Sequence, residues 1–361
     1  MIPVTKPFLP PLKDYVAYLD RIWSTNQVTN NGPLLLELEQ RLSDYLGVRN
    51  LFIVSNGTVA LQLALKALGI EDGEVITTPF SYVATTSSLI WERCTPVFAD
   101  IEARSFCIDP REVEKKITPR TRAIMATHVY GFPCEHEALN RIAKTHGLKI
   151  IYDGAHAFGV RRAGKSVLAE GDVSTLSFHA TKLFHMGEGG AVIVQDDEVA
   201  RQLKLYRSFG HIGDDYYVAG INGKNSELHA AMGLAVLQHM PEIATRRAAV
   251  AATYDTALKN TPGLSLPPPQ PGILPNHSYY PVLFESEAQL LKVKAALEAQ
   301  NIFTRRYFYP SLNTLPYVAP SKCPVSEDVA TRVLCLPIYA QLEEAELKRV
   351  VSELHAACRA S

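Results

Sequence analysis

The sequence predicts an α/β fold: a large, mostly parallel seven-stranded sheet covered by helices, followed by a smaller C-terminal α/β unit. Two observations carry this. Seven short apolar, β-branched segments alternate with helix-period stretches over the first 240 residues. From Met240 the texture then changes to a long Ala-rich helical run and a proline-dense stretch. At 361 residues the chain can bury a large core without covalent staples, and a scale of roughly 150 residues per domain suits two domains.

The predicted strands are Leu51–Ser55, Val75–Thr78, Pro96–Asp100, Arg122–Thr127, Lys149–Asp153, Ser174–Phe178 and Ala191–Gln195. Helical periodicity is clear at Val59–Leu68 and Glu135–His146, and strands separated by helices pair in parallel. A further helix is expected over Pro241–Lys259. The prolines at 262, 267, 268, 269, 271 and 275 cannot continue it, so this stretch reads as an extended connector. Beyond it, Tyr279–Phe284 reads as a strand, and Glu287–Gln300 and Glu343–His355 as amphipathic helices. The division expected is residues 1–240 and 241–361, with no internal repeat.

Composition narrows the partners. With 36 basic and 37 acidic residues the formal charge is -1, and no basic stripe marks a nucleic-acid or membrane surface. The six cysteines occur singly, without the paired spacing of a zinc site or redox dithiol, so no metal is expected and the thiols read as reduced packing residues. Charges at Lys6, Lys13, Asp14, Asp20 and Arg21 break any apolar leader, and no apolar run approaches the roughly 18 residues of a membrane span. A cytoplasmic protein acting on a small molecule is the expectation.

Three segments carry chemistry. Ser55-Asn56-Gly57-Thr58 joins a strand to a helix, and its free N–H groups either are simply capped or cradle a phosphate, with Gly57 allowing close approach. Asp153 ends a very apolar strand and precedes the small-residue run Gly154–Gly159. It reads either as a loop cap or as a carboxylate that keeps the ring nitrogen of a pyridine cofactor protonated. Lys182 follows another strand end, 29 positions later, among apolar and glycine neighbours. It either extends to solvent or is a desolvated amine nucleophile.

Taken in order, these segments resemble the DegT/DnrJ/EryC1/StrS family of sugar aminotransferases, which are fold-type-I pyridoxal-phosphate enzymes. The likeness runs through Asn31-Gly32-Pro33, Ser55–Thr58, Asp153–Gly159, Ser177–Lys182, Gly187–Gly190 and Gly220–Ala231 to Tyr309-Pro310 and Leu336-Pro337. It implies that Lys182 anchors pyridoxal 5'-phosphate, that Asp153 pairs with the ring nitrogen and that Tyr82 stacks on the ring. Gly57, Thr58 and Ser177 would hold the phosphate. His156 stands where many relatives have Gln near the phenolic oxygen, and Asn222 matches a residue that reaches the neighbouring subunit's phosphate, which implies a homodimer. Gly154, Gly223, Asn225 and His229 depart from the usual residues. Relatives that remove a hydroxyl carry His at the anchoring position, so Lys182 favours amino transfer.

The implied reaction moves an amino group from an amino acid, glutamate by family analogy, to a nucleotide-linked keto-sugar, with Lys182 as both anchor and base. His156, Ser177–Ala180 and Glu188-Gly189-Gly190 resemble branches acting at C-4 of a 4-keto-6-deoxy sugar, and the opening Ile2–Thr5 resembles enzymes supplying O-antigen sugars. Amination at C-3, or a non-catalytic protein on the same fold, are the alternatives. Asn30, His185 and Tyr309 are candidate substrate contacts, or else a loop residue, a structural histidine and a surface tyrosine.

Overall fold

The computed structural model describes residues 1–360. Its main sheet contains β1 (Leu51–Val54), β2 (Glu74–Thr77), β3 (Thr95–Phe98), β4 (Thr121–Thr127), β5 (Lys149–Asp153), β6 (Val173–Ser177) and β7 (Gly190–Val194). These are the seven expected segments, each within a residue or two of its predicted bounds. Their order is β1-β7-β6-β5-β4-β2-β3. The inner strands are apolar on both faces because helices cover both, which is why they read as continuous hydrophobic runs rather than alternating ones. Pro96 sits in β3, an edge strand, where a missing N–H costs no ladder bond.

One strand runs against the rest. β7 pairs antiparallel with both β6 and β1, whereas every other pairing is parallel. The link from β6 to β7, residues 178–189, contains no helix, and a parallel return needs a longer crossover. This reversal brings Gly190 against the start of the helix Gly57–Ala67: a Cβ on Gly190 would meet the Asn56 carbonyl carbon at 2.6 Å.

Beyond the sheet, the helix Met240–Leu258 begins within a residue of its expected start, and its buried positions run from Met240 to Leu258. The C-terminal strands β8 (Leu264–Ser265), β9 (Pro281–Phe284) and β10 (Val333–Cys335) form an antiparallel sheet in the order β8-β9-β10. It packs with the helices Glu287–Ala299 and Glu344–Ala360 around Val282, Phe284, Leu290, Val350 and Leu354, and Ile2 from the N-terminus joins this core. Among the described residues no helix is long and apolar enough to cross a membrane.

The proline-rich connector is tied down rather than loose. Ile273–Leu274 pairs with Arg161–Arg162, and the Asn276 amide donates to the carbonyls of His156 at 2.8 Å and Phe158 at 3.0 Å. Arg247, buried on the long helix, donates to the carbonyls of His277 and Ser278. These bonds deliver Tyr279 to the carboxyl end of the main sheet. Asn276→Ala would leave two buried carbonyls without donors. It is expected to cost about 2–4 kcal/mol, read as a lower midpoint of urea unfolding; a midpoint within error of the parent would show that the connector is held by other contacts.

Candidate active site

At the carboxyl ends of β5 and β6 lies a cleft of ≈ 730 Å³ lined by residues from both halves of the chain. The main sheet and its loops supply Asn56, Gly57, Thr58, Tyr82, Asp153, His156, Ser177 and Lys182. Tyr279, Arg305, Tyr307 and Phe308 come from the C-terminal third. The ends of parallel strands are where α/β sheets bind ligands, because the helix starts converge there.

Asp153 ends β5 and is buried. Its Oδ2 accepts a hydrogen bond from Thr85 Oγ1 at 2.7 Å and its Oδ1 one from the Ala155 N–H at 3.1 Å. Two donors leave lone pairs on both oxygens, so the carboxylate has capacity for a further N–H.

Lys182 is half-buried, and its Nζ donates to the Tyr279 hydroxyl at 3.3 Å. Burial pushes its pKa below the ordinary lysine value, while Asp153, then Tyr307 and Tyr82, oppose the shift. Desolvation wins, so the neutral, nucleophilic amine is favoured relative to a surface lysine. Burial also raises the Tyr279 phenol, which therefore stays a neutral hydroxyl able to accept from Nζ.

His156 is fully enclosed, stacked on Phe308 with ring centroids 5.3 Å apart and set edge-on to Tyr279. Burial, and next Lys182, hold its pKa well below the usual histidine range, so the ring is neutral. The Tyr130 N–H donates to its Nδ1 at 3.3 Å, which places the single ring proton on Nε2. That Nε2 is buried and has no partner among the described residues. A buried N–H without an acceptor is costly, and here it borders a cleft.

The helix Gly57–Ala67 is capped by Asn56, whose side chain accepts from the Val59 N–H at 2.9 Å. The Gly57 and Thr58 N–H groups belong to the first turn and have no intrahelical acceptor. Gly57 also packs on Ser177: a Cβ there would stand 2.9 Å from the Ser177 Cβ. The cap and the anion cradle are thus both present, side by side. The donor set fits pyridoxal phosphate: N–H groups at a helix start for its phosphate, a carboxylate for its ring nitrogen, an orphan N–H for its ring oxygen and a desolvated amine.

Not every expected residue joins the cleft. His185 is buried, its Nε2 donates to the Phe8 carbonyl at 2.8 Å and its Nδ1 accepts from the Gly187 N–H, so both nitrogens are used inside the fold, and it lies outside the cleft lining. Asn30 and Asn222 are exposed and lie outside the cleft lining of a single chain. Tyr309 also lies outside it, its ring covered by Arg306 at 3.5 Å. Sequence reasoning missed Thr85, Tyr279, Arg305 and Tyr307. Thr85 follows Tyr82 by one helical turn, a usable signal; the others come from distant sequence and had none.

The profile of the DegT/DnrJ/EryC1/StrS aminotransferase family matches residues 12–355. The dTDP-4-amino-4,6-dideoxy-D-glucose transaminase of Shigella dysenteriae is 44% identical over 358 residues, covering 97% of each chain. Its Escherichia coli counterpart of the same name is 41% identical over 354 residues, covering 95% of each. The crystal structure of DesI in the presence of its TDP-sugar product superimposes with a TM-score of 0.94 at 34% identity, over 99% of this chain and 93% of that one. With a match of this extent and a cleft that fits the cofactor, the chain belongs to the DegT/DnrJ/EryC1/StrS family and is a pyridoxal-phosphate-dependent aminotransferase.

Proposed function

We propose that this enzyme transfers an amino group from glutamate to C-4 of a dTDP-linked 4-keto-6-deoxy sugar, in the cytoplasm, for O-antigen or another surface glycan. The observation that carries the reading is the placement of Lys182 and Asp153 in one cleft, in a chain more than 40% identical to two transaminases named for a 4-amino-4,6-dideoxy sugar.

Bound in the cleft, pyridoxal phosphate supplies an electrophilic carbon and an electron-withdrawing ring. Gly57 and Thr58 N–H groups and the Ser177 hydroxyl would hold the phosphate at the helix start. Asp153 would accept the N–H of the ring nitrogen, favouring a cationic ring, and Tyr82 would supply an aromatic face for the ring. His156 Nε2–H would donate to the ring oxygen. Lys182 would anchor the cofactor, and its free Nζ would serve as the base that takes the proton from the donor's α-carbon and holds it for return. That transfer needs a neutral amine, which burial provides. Arg305 lines the cleft mouth, its guanidinium 4.9 Å from the Tyr307 ring centroid and in no ion pair among the described residues. It is suited to a donor carboxylate.

Asn222 and the exposed apolar side chains near it, Ile212, Tyr216, Tyr217 and Ile221, favour a homodimer in which Asn222 reaches the partner's cleft. Light scattering at micromolar concentration should give twice the chain mass.

Purified enzyme should carry a visible absorption band that glutamate bleaches and only the true acceptor restores. Offering 4-keto and 3-keto nucleotide sugars side by side decides the carbon: recovery with the 3-keto sugar alone would move the assignment to C-3. Lys182→Ala should lose at least about 10³ of turnover, and borohydride should fix the cofactor's mass on the Lys182 peptide of the parent. Arg305→Ala should raise KM for glutamate about tenfold or more while leaving that for the sugar nearly unchanged; the opposite split would assign Arg305 to the sugar diphosphate.

The pH dependence follows from His156. Its pKa lies well below the usual 6.5, so it stays neutral at all working pH values and contributes no limb near pH 6.5 to the kcat profile. A limb there that disappears in His156→Gln would show that the ring is charged at rest.

A further inference from the structure

Three buried hydroxyls run back from Asp153 into the sheet. Thr85 Oγ1 donates to Asp153 Oδ2 at 2.7 Å, Ser81 Oγ lies 2.8 Å from Thr85 Oγ1, and Thr127 Oγ1 lies 3.2 Å from Ser81 Oγ. Their residues are 0%, 2% and 0% exposed, and none lines the cleft, so none touches a ligand.

Proton counting fixes the direction of the chain. An ionised carboxylate only accepts, so the single Thr85 proton points at Asp153. Thr85 then offers Ser81 nothing but lone pairs, and Ser81 must donate to it. The Ser81 proton is thereby committed, which leaves Thr127 to donate to Ser81. All three O–H groups point toward the carboxylate, and hydrogen bonds aligned in this way polarise one another.

The chain also closes a ring in space. Thr127 ends β4 directly beside Asp153 at the end of β5, the two being register partners. Ser81 and Thr85 flank Tyr82 on the turn that opens the helix Ala84–Trp91. One set of bonds therefore ties the carboxylate to the turn that carries the exposed aromatic of the cleft.

We propose that Thr127, Ser81 and Thr85 form a directed hydroxyl relay that keeps Asp153 anionic and aimed at the cofactor's ring nitrogen while fixing Tyr82 relative to it. They are positioning residues, and the proposal rests on the cofactor placement given above. Without the relay the carboxylate draws the ring proton to itself, the ring withdraws fewer electrons, and the cofactor-bound nitrogen of Lys182 holds its proton to higher pH.

The test is a pH titration of the visible absorption of the holoenzyme, with cofactor retention measured by equilibrium dialysis, for the parent, Thr85→Val, Thr85→Ser and Ser81→Ala. Thr85→Val should raise the titration midpoint by about one pH unit, weaken cofactor retention and lower kcat about tenfold, with both KM values nearly unchanged. Thr85→Ser should restore all three readouts, and Ser81→Ala should move the midpoint the same way by less. A folded Thr85→Val with the parent's midpoint, or Thr85→Ser as impaired as Thr85→Val, overturns the relay. If Thr85→Val does not fold, an unmoved midpoint in Ser81→Ala overturns it. A parent enzyme with no visible band would instead overturn the cofactor placement, so the two failures are distinct.

Discussion

The site depends on holding an amine and a carboxylate in one cleft with little water. Burying charge is costly, and Asp153 meets that cost with one hydroxyl and one backbone N–H. Among the described residues Lys182 has no carboxylate within hydrogen-bond reach; its Nζ meets a neutral phenol. The attraction of Asp153 on the amine is outweighed by desolvation. The difference is useful: a tight ion pair would lock the proton on nitrogen, whereas a desolvated amine beside a neutral acceptor can release and retake it.

That arrangement needs strand ends at fixed spacing, and the sheet supplies it. Asp153 and Ser177 stand at the ends of the adjacent parallel strands β5 and β6, and Lys182 lies one short loop beyond β6. The antiparallel return of β7 then presses Gly190 against Asn56, as Gly57 presses on Ser177. Side chains at either glycine would push the first turn of the helix Gly57–Ala67 away from Ser177 and spoil the anion cradle. The opposite wall is aromatic: Tyr130, Phe308 and Tyr279 pack around His156 with centroid separations of 4.9 to 6.4 Å. This wall excludes the water that would otherwise solvate Nζ.

Much of this was legible in the sequence. The seven strands stood out because helices bury both faces, and a run buried on both faces is apolar throughout. Asp153, Lys182 and Gly57 stood out because they break such runs at the end where ligands bind. Tyr279 and Arg305 were invisible for the converse reason. Tyr279 reaches Lys182 across 97 positions, and its place is set by the Asn276 bonds to His156 and Phe158. Arg305 is fixed by two backbone bonds to Cys335, and such pairing leaves no mark on side-chain type. His185 shows the opposite case: a polar residue close to Lys182 invites a functional reading, yet its neighbours Phe184 and Met186 are core residues and it is buried with them.

The two walls differ in how they are held, and this bears on how one cleft serves two unlike substrates in turn. The Asp153 side is a hydrogen-bonded unit between the main sheet and the helix Ala84–Trp91, where Thr127 and Asp153 share a register and the three hydroxyl residues are buried. The facing side comes from the C-terminal third, tied through Asn276, Arg247 and the Cys335 bridge, and it presents Arg305, in no ion pair among the described residues. The cofactor stays in one place through both halves of the reaction, which suits partners set on the main sheet and its loops. An amino acid and a sugar nucleotide differ in size and in where their negative charges lie, which suits a long, flexible guanidinium on the facing side.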